Sequence, residues 1–333
     1  MVGSSWRDGL RRVAAAPAVL VGIYFITLVA ALPLAAAIGF GINEHLGSSL
    51  TANDVAASVN YDWWQEFASQ GSVLTLTSTF TPSILGFATT LDSVSGLVDK
   101  RPLVPAIALA LGFYMLVWIF LQGGILDRYA RDRRIGAYGF FAASGIFFLR
   151  FVRLGIVAGI AYWFLFAYVH EWLFAKWYVN ATRDVAVERT VFYWRVLMYA
   201  IFIALLALTT TFLDYAKVRA VVEDRRSMAG ALIAAIRFII RNPGRVAGLY
   251  LTNTALFLGV VGVWALIDPG AGGSGASMWA GVLLSQGYIL GRLIVKLQVL
   301  ASETALFQRS LAHWGYSAVP IATRAEPPVV EIA

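Results

Sequence analysis

The sequence has no cysteine among its 333 residues, and only three histidines. The missing cysteine excludes disulfides, thiolate nucleophiles, thioether-attached haem and cysteine-ligated zinc or iron–sulfur sites. His45, His170 and His313 are too scattered to form a metal cluster. Charge is scarce as well. Only 14% of the residues are charged and 59% are hydrophobic, against about 25% and about 45–50% in a soluble domain. Mean hydropathy is +0.72. This composition excludes a disordered chain, argues against a soluble globular domain and points to a polytopic membrane protein. Familiar catalytic signatures are lacking too. There is no P-loop, no nucleophile elbow and no paired-aspartate phosphotransferase motif. His170-Glu171 opens a zincin-like motif, but Phe174 stands where the second histidine belongs. Gly270, Gly272 and Gly275 match G-x-G-x-x-G with no strand before them and no Rossmann unit around them. No cofactor is expected. His170 reads as a hydrogen-bonded interfacial histidine, with axial ligation of a chlorophyll-type magnesium or a haem iron as the alternative.

What is present is a set of long apolar runs. Crossing the hydrocarbon core as a helix takes roughly 20 apolar residues. Six segments qualify: Pro17–Phe40, Leu103–Leu126, Val152–Leu173, Val191–Leu213, Val246–Ile267 and Met278–Leu300. They are too long and too uniformly apolar for barrel strands, whose apolar residues alternate. The expected fold is therefore all-α, since only helices and closed barrels satisfy the backbone in lipid. The first run follows basic residues and ends near Ala35-Ala36-Ala37, but it exceeds the roughly 7–15 residues of a signal-peptide core and reads as a retained span.

The distribution of charge orients these spans. With the N-terminus inside, twenty Lys and Arg fall on the inner side and six on the outer. The inner face then carries nine acids and the outer face ten. This is a strong positive-inside asymmetry. The net charge of +7 therefore belongs to one face of a membrane protein, where anionic headgroups attract it. Nucleic acid is not an expected partner.

An internal repeat underlies the pattern. Leu126-Asp127, Tyr129-Ala130, Asp132-Arg133-Arg134, then Arg150 and Arg153, parallel Leu213-Asp214, Tyr215-Ala216, Asp224-Arg225-Arg226, then Arg237 and Arg241. The unit is span, basic elbow, amphipathic cytoplasmic helix, span. Leu10-Arg11 with Pro17, Gly22 and Tyr24 matches Ile236-Arg237 with Pro243, Gly248 and Tyr250 at the same spacing, a third half-unit at the start of the chain. Two amphipathic pieces follow from the periodicity, Ala229–Arg241 and Phe140–Arg153. Each has one apolar face with arginines placed to reach headgroups. The elbow Leu213-Asp214-Tyr215-Ala216-Lys217-Val218-Arg219, with Val222 to Ser227, Arg237 to Pro243 and Gly248-Leu249-Tyr250, resembles a group of bacterial polytopic membrane proteins. These are the YciC-like proteins and the membrane domain attached to some glycerophosphodiester phosphodiesterases. The resemblance spans most of residues 10–312, but only the elbow is specific. It implies a bacterial inner membrane and a helical bundle, and no chemistry, because no phosphodiesterase domain is present.

Residues 42–102 are the one long outer segment. Thr81-Pro82 reads as a helix start, and Ile84, Phe87, Ala88, Leu91, Val94 and Val98 mark one face of a helix on the outer leaflet. Tyr61, Trp63, Trp64 and Phe67 just before it suit an interface, as anchors or as a contact for a partner or small ligand. The pairs Gly155/Gly159, Gly244/Gly248 and Gly287/Gly291 suggest close helix packing. Charges inside spans are the main functional lead. Arg292 and Lys296 lie one turn apart in the last span near Gln286, Asp214 closes the fourth span as a partner for Arg292, and Glu303 lies two turns beyond Lys296.

These features lead to one expectation and one alternative. The chain reads as a single transmembrane domain over residues 1–314, with the outer insertion 42–102 and a cytoplasmic tail 315–333. It is expected to be a non-catalytic scaffold or accessory subunit in a bacterial inner membrane, both termini cytoplasmic. Its partners would be membrane lipids with anionic headgroups and a larger membrane complex. Arg292, Lys296, Asp214, Arg237, Arg241, Arg150 and Arg153 are the candidate lipid or anion contacts, and Tyr61, Trp63 and Trp64 the interface aromatics. The alternative is a transporter or lipid-handling permease using Arg292 and Lys296, although no span is clearly broken at its middle and paired carboxylates for proton coupling are lacking.

Overall fold

The computed structural model describes residues 1–47, 49–58, 60–69, 95–96, 98–101, 105–132, 135–268 and 275–313. Every regular element among them is helical: α1 (Val2–Ala14), α2 (Pro17–Leu46), α3 (Ala52–Ala57), α4 (Tyr61–Ser69), α5 (Pro105–Arg131), α6 (Ala137–Thr182), α7 (Glu188–Val222), α8 (Met228–Arg241), α9 (Pro243–Ile267) and α10 (Ala276–His313). Six of these, α2, α5, α6, α7, α9 and α10, are long and apolar enough to cross a membrane. The chain is an all-α polytopic membrane protein, and its six spans fall on the six apolar runs. The expected outer-leaflet helix from Thr81 through Val94, the Gly270 and Gly272 positions, Arg133, Arg134 and the tail 315–333 lie outside the described residues.

The repeat is visible in the helix boundaries. Amphipathic α1 ends just before Pro17, which opens α2, and amphipathic α8 ends just before Pro243, which opens α9. Proline is well suited to a first helical turn, where its missing N–H has no partner to lose. The buried positions correspond: Ser5, Gly9 and Val13 in α1 match Ala231, Ala235 and Ile239 in α8. The other copy differs. The segment Phe140–Arg153 is not a separate interfacial helix; it is the first part of α6, which continues without a break to Thr182. The cause is local. Where the second copy has Asn242-Pro243, the first has Leu154-Gly155, and glycine interrupts no backbone hydrogen bond. At 1.5 Å per residue α6 is about 69 Å long, well over the hydrocarbon thickness. It contains two π segments, Leu165–Val169 and Trp172–Trp177.

The chain divides into two compact units. Met1–Arg12, Gln122–Leu249 and the chain from Leu300 form the first; Val13–Leu121 and Tyr250–Val299 form the second. In the first unit α5 and α6 meet at Gly123 and Gly124. A Cβ on Gly124 would lie 2.6 Å from Ser144 Oγ and 2.7 Å from the Phe140 carbonyl, and Gly124 N–H donates to Ser144 Oγ at 3.2 Å. Gly9 of α1 sits equally close to Ser302 of α10, with its Cβ position 2.8 Å from the Ser302 nitrogen. Tyr162 of α6 and Thr210 of α7 share a 2.8 Å hydroxyl hydrogen bond. Tyr215, Phe238 and Phe307 interlock α7, α8 and α10 with ring centroids 5.4 and 5.2 Å apart. In the second unit Tyr24 OH of α2 donates to Gln286 Oε1 of α10 at 2.8 Å, and Trp264 of α9 stacks on Tyr288 of α10 at 4.8 Å.

Of the expected glycine pairs, Gly159, Gly244 and Gly287 face nothing within 4 Å; Gly248 meets Val2 and Gly291 meets Val260. Among the described residues the tightest approaches between different helices belong to Gly9 and Gly124, neither of them in the expected pairs. Replacing Gly124 with Ala should therefore cost about 1–3 kcal/mol by overpacking, while Gly159→Ala should be neutral. Thermal unfolding of both variants in the same detergent checks this.

Candidate functional site: charged helix ends and an arginine-lined cleft

Two aspartates shape the elbows. Asp132 and Asp224 both have φ of 46°, in the left-handed region where Asp is one of the tolerated residues. After α7 the chain closes with a Schellman pattern: Arg225 N–H donates to the Ala220 carbonyl at 3.0 Å. Ser227 then caps α8 by accepting from Gly230 N–H at 3.2 Å. Each aspartate also receives an arginine from another helix. Arg150 of α6 donates to Asp224 at 2.7 Å and lies over Phe147, and Arg11 of α1 donates to Asp132 at 3.1 Å. Arg150 is thus half-buried against the elbow, whereas Arg153, one turn on, is exposed.

Arg12 is buried between helix ends. It donates to the Tyr129 carbonyl at 2.6 Å, to Gln308 Oε1 at 2.8 Å and to Asp8 at 3.1 Å. Gln308 in turn donates to the Ala130 carbonyl at 2.6 Å. Burial pushes the Asp8 carboxyl up, but Arg12, Arg11 and Arg309 together outweigh it and hold Asp8 below the ordinary carboxylate range.

In the repeat Arg11, Arg150 and Arg237 occupy the same place. Among the described residues Arg237 has no acidic partner. It lines a cleft of about 520 Å³ formed by α7, α8 and α10, with Arg219, Arg225 and Arg241 as its other basic residues and Ile233, Phe238, Phe307 and Leu311 as apolar wall. Arg219 is fixed from three sides. It donates to the Ala234 carbonyl at 2.6 Å and to Glu223 at 2.6 Å, and it lies 5.2 Å over the Phe307 ring. Glu223 also accepts from Arg225. Arg237 and Arg241 are exposed.

The charges of the last span are placed differently from expectation. Asp214, expected to meet Arg292, is bound by Lys217 of its own helix at 2.7 Å. Arg292 is exposed and lies over Tyr288 at 5.6 Å. Lys296 sits 3.4 Å over the Trp118 ring, with Tyr114 also beneath it, a cation–π seat inside the second unit. Glu303 is buried with Tyr215 in the first unit, close enough to Asp214 and Lys217 for their charges to act on it. His170 stacks on Phe174 at 4.5 Å and meets Phe202 edge-on. Trp63 donates to His45 Nδ1 at 3.0 Å and stacks on buried Phe67, clasping α4 to the end of α2, while Tyr61 stands exposed beside Trp64. Among the described residues no three His, Asp or Glu side chains gather as a metal site.

No protein-family model, curated protein or solved structure matches the chain. Sequence reasoning passed over Arg12, Gln308 and Arg219, the residues that tie helix ends together. Their signal was weak: an arginine in an amphipathic stretch looks alike whether it reaches a headgroup or a carbonyl.

The Asp8 cluster gives a pH prediction. A carboxyl held low stabilises the docked α1 at neutral pH. That contribution is lost as pH falls below the ordinary carboxylate range and through the depressed value. Proteolytic protection of α1 should fall with acid in the wild type, and Asp8→Asn should remove this part of the pH dependence and lower protection at pH 7.

Proposed function

We propose that this chain is a non-catalytic scaffold or accessory subunit of a bacterial inner membrane, which engages anionic lipids through its cytoplasmic side and holds partner proteins there. The resemblance of its elbow to the YciC-like proteins fits that setting. One observation carries the reading: α8 lies between the end of span α7 and the start of span α9, so it belongs to a membrane surface, and it exposes Ile233 and Ile240 together with Arg237 and Arg241. Apolar side chains beside basic ones suit the boundary between acyl chains and anionic headgroups. Many other charges are occupied in joining helices, as in Arg12 to the Tyr129 carbonyl, Arg150 to Asp224 and Arg219 to the Ala234 carbonyl. That favours a structural use of charge over turnover.

The permease alternative rests on Arg292, which is exposed within a span-forming helix. It is the weaker reading, because its companion Lys296 is seated on Trp118.

In nanodiscs of mixed phosphatidylglycerol and phosphatidylethanolamine, the lipid that remains with the protein on extraction should be enriched in phosphatidylglycerol. The enrichment should collapse at 1 M salt, where screening acts within about 3 Å. Lipid retained at bulk composition, or purified protein with reproducible turnover, would overturn the proposal.

A further inference from the structure

We infer that the cleft between α7, α8 and α10 is a binding site for a phosphate group, the source favoured by its walls being an anionic phospholipid. The inference rests on the lipid-engaging reading above and narrows it to one site and one ligand chemistry.

Three features make this cleft different from a basic surface. The first is preorganisation. The Arg219 guanidinium is fixed by the Ala234 carbonyl, by Glu223 and by the Phe307 ring, and its Nε is buried without a hydrogen-bond partner among the described residues. A guanidinium held in one orientation fixes a positive charge in the wall of the cleft, with little further entropy to lose when an anion binds beside it. The second is charge balance. Glu223 answers Arg219 and Arg225, while Arg237 and Arg241 have no acid among the described residues. The lining of the cleft contains four arginines and no acidic residue. The third is the comparison within the chain. At the two equivalent places, Arg11 and Arg150 are matched by Asp132 and Asp224. Only at Arg237 does the repeat leave the arginine facing an open space.

The size and walls indicate the kind of molecule. A volume of about 520 Å³ lies within the range of small-molecule sites. One wall is basic, and Ile233, Phe238, Phe307 and Leu311 supply an apolar one. A phosphate with attached glycerol and the first carbons of an acyl chain satisfies both. Free phosphate satisfies only the first. The lining includes Arg225, in the turn after span α7, and Asn242, the residue before span α9, and the ends of spans are where headgroups are met.

The test compares wild type with Arg237→Ala/Arg241→Ala in nanodiscs of phosphatidylethanolamine doped with phosphatidic acid. Retained phosphatidic acid is counted by native mass spectrometry, with inorganic phosphate and glycerol 3-phosphate as soluble competitors. Both arginines are exposed, so the double variant should fold. The charge-preserving Arg237→Lys/Arg241→Lys pair and the exposed Arg226→Ala serve as controls. The wild type should retain one phosphatidic acid. The alanine pair should bind it about thirtyfold more weakly, two charges at roughly 1 kcal/mol each. The lysine pair should fall between, and Arg226→Ala should match wild type. Displacement by millimolar glycerol 3-phosphate would support a phosphate site open to soluble ligands, and resistance to it the lipid source. If the alanine pair retains phosphatidic acid as tightly as wild type, the cleft is not the site. In that case enrichment of anionic lipid in the wild type would leave the broader reading standing, and its absence would remove both.

Discussion

A carbonyl at the end of a membrane helix has no partner in its own helix and limited access to water. In this protein the donor is repeatedly a long side chain from another helix. At the end of α5, Arg12 reaches the Tyr129 carbonyl and Gln308 that of Ala130, and in the turn after α7 Arg150 reaches the Arg225 carbonyl. Helix termini leave several backbone groups unsatisfied, and apolar surroundings make each one costly. A guanidinium answers a helix C-terminus in two ways, by donating hydrogen bonds and by opposing the negative end of the helix dipole. The amphipathic α1 and the amphipathic opening stretch of α6 are therefore more than surface anchors. Arg12 of α1 closes the end of α5 together with Gln308 of α10, and Arg150 of α6 holds the turn after α7.

That constraint explains why charge is scarce in the chain yet concentrated in a few places. An acid and a base appear together wherever an arginine must be buried, as with Asp8 beside Arg12. Breaking such a pair leaves a buried charge uncompensated, which is far worse than never having had it. The cleft at α8 departs from the arrangement. It uses the same repeat position and the same amphipathic helix, and its arginines face an apolar-walled space. A repeat that serves structure twice is then free to serve binding the third time.

The membrane class, the six spans and the α1–Pro17 and α8–Pro243 junctions were legible because they depend on composition and on proline, which act locally. The continuity of α6 was not, because the amphipathic pattern of Phe140–Arg153 is the same whether the segment faces headgroups or packs on α5. Arg237 and Arg241 were readable as basic residues near a membrane surface. The cleft behind them was not, since it depends on Arg219 and Phe307 arriving from α7 and α10. The Asp214–Lys217 pair, three residues apart on one helix and cheap to order, was passed over in favour of a partner from another span.

The claim beneath all of this is that the basic elbows share the cytoplasmic surface. The chain contains no cysteine, so single cysteines report position without background. Arg226→Cys in the turn before α8 and Asp184→Cys in the turn between α6 and α7 should be labelled by a membrane-impermeant maleimide from opposite sides. Arg226→Cys should react only from the cytoplasmic side and Asp184→Cys only from the outer side. Labelling of both from one side, or the reverse assignment, would contradict the account.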